Sequence, residues 1–155
     1  MVRPDEKKTL ADQAKELLAD PRQRIALDAF VNEHLRAALE ALSAEHFPVT
    51  GGGTNQDFVK RVAAYEDAVC DLTEIVILLA RWGDAEGRLQ LEKIFLQLAE
   101  TAKSGGGTVV WLQLRWYPLL VLMYAAGISC AFRAPVRYAR RYTDAPCSRG
   151  IRIKL

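Results

Sequence analysis

The sequence predicts an all-α fold: an irregular bundle of about five helices with a buried apolar fifth helix, followed by a basic irregular C-terminal tail. Three observations lead there. Apolar residues recur at spacings of three and four along most of the first 132 positions, the period of one helix face. Capping residues and glycine or proline stops fall between those runs. The only stretch that alternates as a strand would, Val110 to Trp116, has no partner strand to pair with. The boundaries expected are a helical domain over 1–132 and a basic tail over 133–155.

A chain of 155 residues is one domain in length, and a domain of that size buries roughly 68–70% of the surface its unfolded form exposes. Half the residues are apolar and 26% are charged, which is globular usage and excludes a wholly disordered chain. Cys70, Cys130 and Cys147 are odd in number and far apart, so they form no C-x-x-C motif and no disulfide framework. The charged start "MVRPDEKKTLADQAKELLAD" lacks the apolar core of a secretory signal, and a cytoplasmic location is expected.

The first helix is expected from about Asp5, with Leu10, Ala14, Leu17 and Leu18 on one stripe. Asp20 followed by Pro21 restarts the chain, since proline at the first helical position sacrifices no hydrogen bond. In the second helix Leu27, Phe30, Val31, Leu35, Ala38, Leu39 and Leu42 share a face. "HFPVTGGGTN" cannot continue it and reads as a loop.

Thr54 with Asp57 forms an acidic capping box for the third helix. From there Phe58, Val62, Tyr65, Val69, Leu72, Val76 and Leu79 alternate spacings of four and three, a coiled-coil-like seam expected to lie on one long helix. Gly83 stops that helix and Asp84 caps the fourth, whose apolar face holds Leu91, Ile94, Phe95, Leu98 and Ala102. "KSGGG" closes it. The fifth element, from Val110, is read as helical with a kink or restart at Pro118, and Leu119 to Ala131 is its firmer half.

Site chemistry is sparse. The triplet "GGGT" occurs at Gly51 to Thr54 and at Gly105 to Thr108, but Lys103 and Ser104 precede the second copy, the wrong order for a phosphate-binding loop, and the flanks do not support a duplication. His34 and His46 are the only histidines, and neither stands in a metal-ligand spacing. No serine sits in a G-x-S-x-G frame, and Glu66, Asp67, Asp71 and Glu74 read as a solvated face. No catalytic residue, metal or cofactor is expected, no small-molecule substrate is inferred, and the protein is expected not to be an enzyme.

Two segments carry the functional expectations. Trp116 to Phe132 is uncharged over 17 residues, flanked by Arg115 and Arg133, close to the shortest length that spans a bilayer. Burial as a core helix is preferred, because four amphipathic helices need a common partner. The tail carries Arg133, Arg137, Arg140, Arg141, Arg149, Arg152 and Lys154 against Asp144 alone, interleaved with Tyr138 and Tyr142. Such a composition suits phosphates and stacked bases. The function expected is therefore an interaction or scaffold module that self-associates or joins a larger assembly. Its contact residues are expected to be Phe58, Val62, Tyr65, Val69, Leu72, Val76 and Leu79 of the seam, with Trp111 and Trp116. The alternatives are a membrane-associated protein anchored through residues 116–132 with a basic juxtamembrane tail, and nucleic-acid binding through the Arg/Tyr tail.

Overall fold

The computed structural model describes residues 8–51, 53–103 and 106–133, and every regular element among them is helical. The chain runs α1 (Leu10–Ala19), a 3₁₀ turn (Pro21–Gln23), α2 (Arg24–Ala41), α3 (Asn55–Ala68), α4 (Cys70–Trp82), α5 (Ala85–Lys103), α6 (Val109–Leu114) and α7 (Tyr117–Arg133).

The caps explain most boundaries. Thr9, extended at φ −67° and ψ 158°, accepts from the Asp12 N–H, so α1 starts at Leu10 rather than near Asp5, which lies outside the described residues. Asp20 Oδ1 accepts from the Arg22 N–H at 2.9 Å and turns the chain through Pro21 into α2. The Thr54–Asp57 capping box is present in both directions: the Asp57 N–H donates to Thr54 Oγ1 at 3.3 Å, and the Thr54 N–H to Asp57 Oδ2 at 2.9 Å. At the end of α4 the Gly83 N–H donates to Leu79 O, and a Cβ at Gly83 would run into that carbonyl.

The expected long third helix is two helices. Val69, at φ −110° and ψ 8°, separates α3 from α4. Its carbonyl accepts both the Thr73 N–H at 2.8 Å and the Thr73 hydroxyl at 2.7 Å, the back-bonding that bends helices. The Val69 side chain stays buried, so the seam's period survives the break.

α4, not the apolar last helix, is the enclosed element: it packs against α1, α2, α3, α5 and α7 and buries Leu72, Ile75, Val76, Leu78, Leu79 and Ala80. Each of the leucines, Ile75 and Val76 contributes about 1.5–3 kcal/mol by leaving water. α7 packs against α3, α4 and α5 on one side only, burying Leu119, Leu122 and Ala126. The fifth apolar element is broken at Arg115–Trp116, because Pro118 has no N–H to offer the Leu114 carbonyl; the ladder resumes with the Leu120 N–H on Trp116 O at 3.1 Å.

Candidate interaction surface

Among the described residues α3, α4 and α5 pack on the inner side of α7, and its outer side, as apolar as the inner one, is left uncovered. Leu120, Met123, Tyr124, Ile128 and Phe132 stand exposed at spacings of three, one, four and four, with Tyr124 at 74% and Phe132 at 73%. Leu120, Met123, Tyr124, Gly127, Ile128 and Ala131 line a shallow concavity of about 480 Å³. The helix carries no charge from Trp116 to Phe132, so this stripe has no charged partner of its own. Val109 to Phe132 together make a 24-residue stretch holding an 18-residue window of mean hydropathy 1.3, long and apolar enough by composition to cross a membrane.

The base of α7 is anchored by the Tyr117 hydroxyl, which donates to a carboxylate oxygen of Glu66 on α3. That hydrogen bond, with the negative charge and some burial, raises the phenol above its usual range.

A second concavity, of about 350 Å³, opens beside the loop between α2 and α3. The two glycine triplets meet here. The Thr108 N–H donates to Val49 O at 2.8 Å, and the Thr108 hydroxyl and Trp111 Nε1–H both reach Gly51 O, at 3.3 and 3.1 Å. Gly51 adopts φ +97°, a conformation that favours glycine, and a Cβ at Gly107 would press into Val49. Arg61 spans this clasp: its guanidinium lies 4.2 Å from the Trp111 ring centre, and Nη2 donates to Pro48 O at 2.7 Å. Phe47 stacks on Tyr65 with ring centres 4.2 Å apart. Arg61 Nη1 and the Tyr65 hydroxyl are buried without hydrogen-bond partners among the described residues. Burial raises the Tyr65 phenol, partly offset by the positive charges of Arg61 and Arg115. Asp57, also on the rim, is committed to its cap, whose backbone and hydroxyl hydrogen bonds from Thr54 lower its carboxyl. The Arg61 head is thus used in holding loop to helix, and its open N–H is sealed from solvent.

A polar bridge joins α2 to α5. Asp28 Oδ1 accepts from Gln90 Nε2 at 2.9 Å and Lys93 Nζ at 3.2 Å, while Oδ2 accepts from Asn32 Nδ2 at 2.8 Å. These contacts, Gln90 first, lower the Asp28 carboxyl. His34 Nδ1 lies 2.9 Å from Phe30 O, and His46 Nδ1 lies 2.9 Å from Ser43 Oγ. Among the described residues no three His, Cys, Asp or Glu side chains gather as metal ligands. Cys70 and Cys130 are free thiols, and Cys147 lies outside the described residues.

The contact residues expected from the sequence are dispersed. Tyr65, Val69, Leu72, Val76 and Leu79 are buried in the chain's own core, as is Trp111, so the seam is spent on folding. Val62 is half-buried; Phe58 and Trp116 reach solvent. Arg133 ends α7, whereas Arg137, Arg140 and Arg141 lie outside the described residues. Sequence reasoning missed Met123, Tyr124, Gly127 and Ile128. The signal that points to them is the lack of any polar face on α7, which leaves its apolar residues more numerous than one core contact can cover. Compared with known proteins, the chain matches no family model, no curated protein and no solved structure.

Proposed function

We propose that this protein is a non-enzymatic helical interaction module, an irregular bundle that presents the outer face of α7 to another polypeptide. The observation that carries the reading is the uncharged, exposed stripe of Leu120, Met123, Tyr124, Ile128 and Phe132 on a helix whose inner face is already committed to the core. Contiguous apolar patches of that kind are uncommon on monomers and mark contact sites. The test is fractionation of detergent-free lysate, followed by sizing of the native particle. The expected result is recovery in the soluble fraction in a particle heavier than the 17.3 kDa chain. A particle of monomer mass across the micromolar range overturns the reading.

A second reading rests on the 24-residue apolar stretch: membrane contact through the same face. Spanning requires Leu119, Leu122 and Ala126 to leave the core and Arg115 to enter the hydrocarbon, at a cost of about 2.5–3.5 kcal/mol for the arginine alone. Peripheral docking requires neither. Flotation of the chain with vesicles after an alkaline carbonate wash supports the membrane reading; recovery at the bottom of the gradient removes it.

A further inference from the structure

We infer that the occupant of the α7 outer face is a second copy of this chain, packed α7 against α7 in antiparallel sense about Gly127. This rests on the reading of that face as a docking surface. Three features favour a copy over an unlike partner.

The first is charge. An interface between copies is isologous, so the patch meets itself reversed, and a patch of one charge sign would meet the same sign. The α7 face has no charge between Trp116 and Phe132, so self-pairing brings no repulsion and buries no unpaired ion. A partner that presented charges would find nothing here to neutralise them.

The second is shape. A Cβ at Gly127 would meet nothing within 4 Å, so packing inside the chain does not require glycine there, and a mid-helix glycine is unfavourable by itself. Gly127 lies near the middle of the exposed stripe, with Ala131 one turn further on. Helix axes approach as closely as the side chains at the crossing allow. In an antiparallel pair centred on Gly127, Met123 of one helix stands opposite Ala131 of the second copy, large against small, on both sides of the two-fold axis.

The third is area. The stretch of α7 that such a pair brings together, 121–133, carries Met123, Tyr124, Ile128 and Phe132, whose exposed parts amount to roughly 500–600 Å² a side, toward the low end of what each partner contributes to a specific interface.

The test is sedimentation or light scattering of the purified full chain, alone and with anionic vesicles, beside Met123→Glu, Gly127→Leu and, as a control on an exposed position of α5, Leu96→Glu. The wild type and Leu96→Glu are expected to sediment as dimers at micromolar concentration. Met123→Glu and Gly127→Leu, with circular dichroism unchanged, are expected to self-associate at least tenfold more weakly. A monomeric wild type whose lysate particle is still heavier than one chain overturns the second copy and leaves the docking surface standing. A monomer in both settings, or a chain that binds vesicles instead of itself, overturns both. A dimer indifferent to Met123→Glu and Gly127→Leu overturns the α7 crossing.

Discussion

Trp111 lies so close to the backbone of Gly53 that a Cβ at Gly53 would fall 2.7 Å from Trp111 Cη2, well inside contact distance. The same indole donates to Gly51 O, so swinging the ring aside would break that hydrogen bond. Gly53→Ala is therefore expected to destabilise the fold by about 1–3 kcal/mol, the usual range for overpacking. Gly106→Ala, in open space within the second triplet, should stay within about 0.5 kcal/mol of wild type. Urea unfolding of both variants checks the contrast; equal stabilities would remove the clasp as the reason for these glycines.

Leu122 and Leu120 test the two sides of α7. Leu122 is fully buried against the core and Leu120 is 54% exposed. Leu122→Ala is expected to cost about 2–5 kcal/mol, as for other buried leucines. Leu120→Ala should lie within about 0.5 kcal/mol when measured at concentrations where the chain is monomeric. Comparable losses at both positions would mean that α7 is enclosed on all sides, as the sequence alone suggests.

How much of this was legible depends on whether the determinant is local. The Thr54–Asp57 box, the Asp20–Pro21 corner and the Gly83 stop are set by neighbours within a few residues, and all are read directly from the chain. The break at Val69 is not, because the four-three spacing passes through it without a fault, and the Thr73 back-bond beside it resembles those of Thr101 and Ser129 in helices that continue. The orientation of α7 is hidden for a different reason: with apolar residues all around, periodicity cannot distinguish the side that packs on α4 from the side that does not. The meeting of the two glycine triplets joins positions 57 residues apart, a pairing no local pattern encodes.

Asp28 gives an acid-side prediction. Its folded carboxyl is lowered from 3.8 by hydrogen bonds from Gln90 and Lys93. A lowered group stabilises the fold above its unfolded value and loses that contribution as pH falls through the folded value. Asp28→Asn, which keeps an acceptor for Gln90, should cost about 1 kcal/mol or less at pH 7, since the side chain is 46% exposed and solvent screens it. The difference should shrink to nothing as pH drops below the folded value. Urea midpoints at neutral and acid pH decide it; a difference that does not change with pH would assign the effect to shape rather than charge.

The Tyr117–Glu66 bond works in the opposite direction. The neutral phenol is favoured, so its folded value rises above 10.0. The linked stability is complete below pH 10.0 and is lost as pH rises through the raised folded value. Glu66→Gln should bring the ionisation of Tyr117 back toward 10.0, read as the near-ultraviolet titration difference between each protein and its Tyr117→Phe derivative. A titration unmoved by Glu66→Gln would show that burial alone holds the phenol up.

Gly127 is where stability and association pull against each other. Inside a helix, alanine is better than glycine by about 0.5–1 kcal/mol, because the unfolded chain loses freedom it would otherwise keep. With nothing near its Cβ in the folded chain, Gly127→Ala should raise the stability of the isolated monomer by that amount. If the helix axes cross at Gly127, the same methyl group pushes them apart and loosens the dimer. Thermal unfolding at dilution and sedimentation at high concentration should therefore move in opposite directions for this one substitution. A variant that is more stable and associates as tightly as wild type would place the crossing elsewhere along α7.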